Sequence, residues 1–404
     1  MILWVAAASA TEVSGYGEVR AGLSGGVDGV PWETVERFRP TLEADLHQRV
    51  RVASTVEARL VQGRYPLEEG YALIDDELGH LLEPAGCSLE APPRYATADD
   101  VLGVERLYVD LYHPRIDLRV GRQALNWGSA TFVNPTDLFA EVLLTQPWQE
   151  RSGVDAVRAT VPIGEVHQVV AVGAIDASLE TGRFGLKPTF NLRGTDIAPV
   201  LGYRSAQDDF LGGVPSAGLD LRGQLVVGWW IEGRVDLDEG GEIEPIVSAG
   251  VDYSLPVLDR LLLVGQYTYD ATGKEDPALY TIVDRGVRVE VPECAGEIGP
   301  PVGEPRFTIG RHYALLSVNA AYADFALQAA GVMNLQDRST LLVPQLSYTP
   351  GSRWTMSVGG NVPLGQGEFR PTDDQMIVRD GLVELDLSGL VPAWTAYGSL
   401  RFSL

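Results

Sequence analysis

Residues 37–60 read RFRPTLEADLHQRVRVASTVEARL, and the order of apolar and polar side chains in that stretch decides the fold. Phe38, Leu42, Ala44 and Leu46 fall on one parity, whereas Arg37, Arg39, Thr41, Glu43, Asp45 and His47 fall on the other. The second half repeats the scheme, with Val50, Val52, Val56, Ala58 and Leu60 opposed to Arg51, Thr55, Glu57 and Arg59. Alternation with period two marks a strand with two unlike faces. Only Gln48 and Arg49 separate the halves, which reads as a tight hairpin.

The same unit recurs along the whole chain. It predicts strands near 13–24, 36–47, 50–62, 104–112, 116–123, 153–162, 166–176, 183–193 and 195–204. Nine more follow near 215–223, 224–235, 243–254, 260–270, 309–319, 325–335, 339–349, 353–363 and 393–404. The total is eighteen, with sixteen as the alternative. Short turns, such as Gln48-Arg49, His113-Pro114-Arg115, Arg193-Gly194 and Gly223, alternate with long connections, chiefly 63–103, 124–152, 271–308 and 364–392. Charged side chains sit opposite Val, Leu, Ala and Trp, an arrangement that a packed core would penalise but that suits lipid outside and water inside. The expected fold is an all-β, closed antiparallel transmembrane barrel with short periplasmic turns and long extracellular loops. Such a protein belongs in a bacterial outer membrane.

The last strand shows the pattern most cleanly, with Trp394, Ala396, Gly398, Leu400, Phe402 and Leu404 outward and Thr395, Tyr397, Ser399, Arg401 and Ser403 inward. It resembles the C-terminal insertion signal of outer-membrane proteins, so the barrel-assembly machinery is an expected partner. Residues 1–10 form an apolar run ending Ala8-Ser9-Ala10, read as the remnant of a signal peptide. Residues 11–404 are then a single barrel.

Composition narrows the partners. A net charge of -24, from 55 acidic and 31 basic residues, opposes a nucleic-acid backbone. No stretch approaches the roughly 18 consecutive apolar residues of a spanning helix. Cys87 and Cys294 fall in the two longest loops and are expected to pair, tying the outer mouth together. No His, Ser or Gly pattern of a known catalytic or metal site appears among the five histidines. No enzyme, cofactor or metal is therefore expected. An adhesin or scaffold acting through its loops, and a membrane-embedded hydrolase assembled across strands, are the alternatives to a channel.

Between the fifth and sixth strands stand Gly121-Arg122-Gln123, Asn126-Trp127-Gly128 and Asn134-Pro135-Thr136-Asp137. These segments resemble a porin-like family of uncharacterised Gram-negative outer-membrane barrels with Gly-Arg-Gln, Asn-Trp-Gly and Asn-Pro-x-Asp at similar spacing. The resemblance implies an outer-membrane channel of unspecified solute and assigns no catalytic residue. Asn134 to Asp137 has the form of a helix start, with Leu138 to Thr145 as the helix. Trp127, Phe132, Phe139, Leu143 and Trp148 give this loop apolar surface to bury against the barrel wall. Asn126, Trp127, Phe132, Asn134, Asp137, Phe139 and Trp148 are thus the expected constriction.

Sorting inward residues by charge gives the last expectation. Arg20, Arg37, Arg39, Arg51, Arg59, Arg106, Arg119 and Arg158 all fall on the first six strands, interleaved with Glu43, Asp45, Glu57 and Asp110. Strands twelve to seventeen point neutral groups inward, such as Ser248, Gln266, Gln328, Asn334 and Gln345. This predicts a lumen with one charged side, selecting small polar or amphipathic, monoanionic solutes. The competing reading is that the arginines only brace the wall. Oligomeric state is open.

Overall fold

The computed structural model describes residues 10–25, 32–63, 101–139, 151–175, 181–206, 209–237, 243–280, 308–370, 373–378, 381–386 and 393–404. Within them, eighteen antiparallel strands form one sheet. The first nine are β1 (Ala10–Gly25), β2 (Trp32–His47), β3 (Val50–Gly63), β4 (Val101–His113), β5 (Ile116–Gln123), β6 (Val154–Ile163), β7 (His167–Ile175), β8 (Gly182–Leu192) and β9 (Thr195–Ala206). Then come β10 (Asp209–Gln224), β11 (Gly228–Leu237), β12 (Ile243–Leu255), β13 (Arg260–Asp270), β14 (His312–Tyr322), β15 (Phe325–Asn334), β16 (Thr340–Tyr348) and β17 (Trp354–Leu364). A separate hairpin, β18 (Asp373–Val378) with β19 (Gly381–Asp386), precedes the last wall strand, β20 (Trp394–Ser403).

Each wall strand pairs with its neighbours in sequence, and β20 pairs with β1 from Tyr16↔Ser403 to Gly25↔Trp394. The sheet therefore closes. A closed ladder leaves no edge with unpaired backbone groups, which is the condition for crossing lipid with strands. No helix among the described residues is long and apolar enough to cross a membrane.

Side-chain parity follows the pleat. Val19, Phe38 and Leu60 point outward and are about half exposed, whereas Glu18, Arg37 and Glu57 point inward and are buried. Leu316 on β14 is 72% exposed beside the inward, buried Leu315. A soluble surface carrying this many exposed Leu, Val and Phe side chains would be an aggregation hazard. Around a closed barrel they form a lipid-facing band. Near the short turns Tyr322, Phe325, Tyr348, Trp354 and Phe402 make an aromatic girdle, with Phe325 stacked on Tyr348 at 4.7 Å and Trp354 against Phe402 at 4.8 Å. Aromatic rings favour that interfacial level.

Some expectations are corrected. The β10–β11 turn is Leu225–Val227, not Gly223, so Leu225 sits exposed at a turn tip rather than in the wall. Apolar Leu225-Val226-Val227 continues the wall's composition, and the turn is set instead by register, Arg222↔Trp230 and Gly223↔Trp229. Strand β14 begins at His312 rather than 309, because Gly310 bridges Lys274 in parallel and the Ile309 amide donates to Glu368. The β18–β19 hairpin lies within a connection expected to be a plain loop. Residues 1–9, Cys87, Cys294, Leu143 and Trp148 lie outside the described residues.

The sidedness of the wall predicts unequal tolerance of charge at adjacent positions. Leu316→Arg should lower the unfolding free energy in lipid vesicles by about 2–4 kcal/mol, whereas Ser317→Arg, facing the lumen, should cost under about 1 kcal/mol. Urea titration of the refolded variants checks the difference.

Candidate functional site

Eighteen strands enclose more space than their own inward side chains fill, and residues 124–139 occupy part of it. The chain turns inward at Gln123, which is fully buried and donates through Nε2 to the carbonyls of Ala156 at 2.9 Å and Gly121 at 3.2 Å. Leu125, Trp127 and Phe139 then pack against Ala156, Val172, Ala174 and Val200 of β6, β7 and β9. Further on, Phe132 joins Trp230, Val264, Tyr313, Leu315 and Val332.

The wall is shaped to receive this segment. A Cβ on Gly185 of β8 would lie 2.5 Å from the Trp127 ring, one on Gly202 of β9 would lie 2.6 Å from Leu138, and one on Gly218 of β10 would lie 3.3 Å from Thr136. Three neighbouring strands thus place glycine where a lumen side chain would otherwise stand. Polar wall residues hold the backbone above this trough. Glu232 of β11 accepts from the amides of Ser129, Ala130 (3.2 Å) and Thr136 (3.4 Å). Gln266 accepts from Thr131 at 2.8 Å and donates to Val133 O at 3.1 Å, and Ser248 also donates to Val133 O, at 2.9 Å. Arg234 donates to Pro135 O at 2.7 Å. A fully buried carboxylate is tolerable only with such donors around it.

Within the segment, Asn134 donates to Trp127 O at 2.6 Å, and Asp137 accepts from Arg151 at 2.5 Å and from the Phe139 amide. The expected helix does not start here. Asp137 N bonds back to Asn134 O, closing a single turn, and Leu138 and Phe139 are bends. The Asp137 side chain takes the Phe139 amide that a helix would leave to capping. Residues 140–145 of that expected helix lie outside the described residues.

A second inward element comes from the far loops. Glu368 is buried and accepts from Tyr313 Oη, Asn334 Nδ2 (2.7 Å) and Ile309 N (3.2 Å). Burial pushes its carboxyl up from the ordinary range, against the pull of those donors. Next to it Phe369 packs on the cluster that contains Phe132. The two inward elements therefore meet on one apolar patch over β11–β15.

The opposite wall carries the charge. Arg37 lies 3.5 Å from Glu57 and 3.9 Å from Glu18, Arg39 lies 3.5 Å from Glu57, and Arg20 lies 3.4 Å from Glu33. Arg51 pairs with Glu43, and Arg119 makes two hydrogen bonds to Asp110 at 2.6 and 2.8 Å. Arg401 of β20 joins them through Glu18 and stacks on Tyr16. Asp45 is level with Arg51 in the ladder, and Arg106 is level with Thr55. Arg59 and Arg158 make no ion pair or hydrogen bond with a described residue. Sequence reading located this arginine wall but missed the glycine trough and the holding role of Glu232. The available signal was glycine on the inward parity at Gly185 and Gly202, which are ladder partners.

Comparison with known proteins matches the architecture and little else. No family model matches the sequence, and no curated protein matches it. Among solved structures, OpdQ of Pseudomonas aeruginosa aligns over 98% of this chain and 96% of its own, with a TM-score of 0.52 at 8% identity. OccK11 (OpdR) of the same organism gives 0.51 at 8% identity over 98% and 96%, and OccK7 (OpdD) gives 0.50 at 8% over 98% and 97%. The fold is that of an outer-membrane porin. Within this fold the lumen is filled unevenly, with one side roofed by residues 124–139 and arginines gathered on the other.

The trough makes the segment's seat testable without touching its own residues. Gly185→Val should drive Trp127 off the wall, and Glu232→Ala should strand three amides at about 1–3 kcal/mol each. Both variants are expected to fold, shown by heat-modifiable gel mobility, yet to expose the 124–152 region to limited proteolysis. A protected segment in both would show that the wall does not hold it.

Proposed function

We propose that this protein is a bacterial outer-membrane channel for small polar solutes, with preference for monoanionic or zwitterionic organic molecules over multivalent anions. The observation that carries the reading is the division of the lumen. Residues 124–139 and Phe369 cover the β6–β15 side, and the charged groups gather on the opposite wall, β20 and β1–β5. In this reading Asn126, Trp127, Phe132, Asn134, Asp137 and Phe139 form the constriction, with Trp148 farther along the same connection.

The arginine wall supports an anionic preference. Arg37, Arg39 and Arg401 gather around two carboxylates, Glu57 and Glu18, and guanidinium planes offer paired donors to a carboxylate. The acidic excess in the long connections 63–103, 271–308 and 364–392 opposes multivalent anions over a range of about 10 Å at 0.1 M salt. Lipid contacts the outer band, and the barrel-assembly machinery reads the last strand, β20, which closes the barrel against β1.

Single-channel recording in planar bilayers tests the reading. Stepwise ionic current is expected, and its absence from a folded barrel would remove the channel assignment. Replacing Arg39, Arg51 and Arg59 together by Gln should lower the flux of a small carboxylate relative to a neutral sugar of equal size roughly threefold. An unchanged ratio would leave the arginines as wall braces.

A further inference from the structure

On the turn side of the inward segment, the wall encloses a polar cavity of about 530 Å³. Asn126 to Ser129 border it, with Trp127 among the lining residues, and inward side chains of β4 to β10 form its sides. Most of its charged groups already have partners. Arg119 is held by Asp110 through two hydrogen bonds and lies over the Tyr108 ring at 3.9 Å. Lys187 donates to Asp220 at 2.8 Å.

Three charged lining groups are not so engaged: Arg158, Asp117 and Arg222 make no hydrogen bond or ion pair with any described residue, although all face the cavity. Arg222 lies on β10, level with Asp196 of β9, whereas Arg158 and Asp117 lie on the adjacent strands β6 and β5. The ladder fixes their relation: Arg119 pairs with Arg158 and Asp117 with Thr160 across β5 and β6. Arg158 and Asp117 are therefore diagonal neighbours, about 7–8 Å apart at the backbone. Arg158 stands beside a like charge, Arg119, which already takes the carboxylate of Asp110. A guanidinium in that position gains from an incoming anion. Asp117 offers the matching acceptor for a cation, and Trp127, Val170 and Ala198 add apolar surface beside them. The volume corresponds to roughly seventeen waters at about 30 Å³ each, ample for a solute the size of an amino acid or dipeptide.

From this juxtaposition we propose that the cavity is a binding station for zwitterions, an α-amino acid or short peptide with an apolar side chain. Its carboxylate sits on Arg158, its ammonium on Asp117, and its side chain against Trp127. The inference rests on the channel reading for its role in passage, and goes beyond it by requiring both charges on one solute.

Leucine, 4-methylpentanoate and isopentylamine share a carbon skeleton and differ in charge. Added to single channels in potassium chloride, leucine is expected to interrupt the current with residence times roughly tenfold longer than either singly charged analogue. Arg158→Gln should shorten leucine's residence to that of isopentylamine, and Asp117→Asn to that of 4-methylpentanoate. Equal residence of all three compounds, or variants that bind leucine as the parent does, would overturn the station. Calorimetric titration of the detergent-solubilised barrel with leucine separates the two readings. Binding that Arg158→Gln abolishes, in a barrel that carries no current, would keep the station and remove the channel. Absence of binding would remove the station whether or not current flows.

Discussion

Every backbone amide and carbonyl placed in hydrocarbon must find a partner within the protein, since no water is there to take its place. Pairing β1 with β20 meets that demand for the whole sheet at once. Other features are consequences of it. Strands joined in sequence order by turns of about two to five residues must be antiparallel. Because side chains alternate across a pleat, each strand then presents one parity to lipid and the other to the lumen. Glu18 and Arg37, ladder partners on β1 and β2, point inward, whereas Val19 and Phe38, each the next residue along its strand, point outward.

Closure at eighteen strands leaves a void, and that void determines what the loops must do. A wall this wide cannot bury its own inward residues, so apolar positions such as Val264, Leu315 and Val332 would face water without a covering element. Phe132 and Phe369 supply the cover. Such a cover brings backbone amides away from water, and these need acceptors as surely as those in the membrane do. Glu232 and Gln266 provide them from the wall. The polar residues of β11 to β13 therefore anchor the segment, whereas on β1 to β5 the inward charged residues pair mainly with one another.

The wall was legible in the sequence because alternation repeats the same information in each strand. The eighteen expected strands correspond to β1–β17 and β20, with ends shifted by up to four residues except at β10, which begins six residues earlier than expected, at Asp209. Alternation carries no information about where a turn interrupts two strands of equal composition, and this misplaced Leu225–Val227. Nor does it distinguish a wall residue from a loop residue that pairs elsewhere, which explains Ile309 to Arg311. The inward segment was legible as apolar surface in need of a partner. Its seat was not, because a glycine such as Gly202 reads equally as a weak strand position or a deliberate gap until the register places Leu138 above it. The hairpin β18–β19 left no mark strong enough to separate it from loop.

Charge on the open wall raises a question of balance. Arginines in a hydrocarbon-like interior would each need a close carboxylate to survive desolvation. Here the distances from Arg37 and Arg39 to Glu57 and Glu18 are 3.5 to 3.9 Å, longer than a charge-assisted hydrogen bond, and two guanidinium groups share one carboxylate. These side chains are buried, so the arginines are held by the carboxylates around them together rather than by one tight partner each, with Arg401 on Glu18 as well. Arg119, locked by two short bonds to Asp110, is the opposite case and braces the wall. The two roles that sequence alone left as alternatives therefore turn on how much of each guanidinium the wall itself consumes, and in that respect Arg119 differs from Arg37 and Arg39.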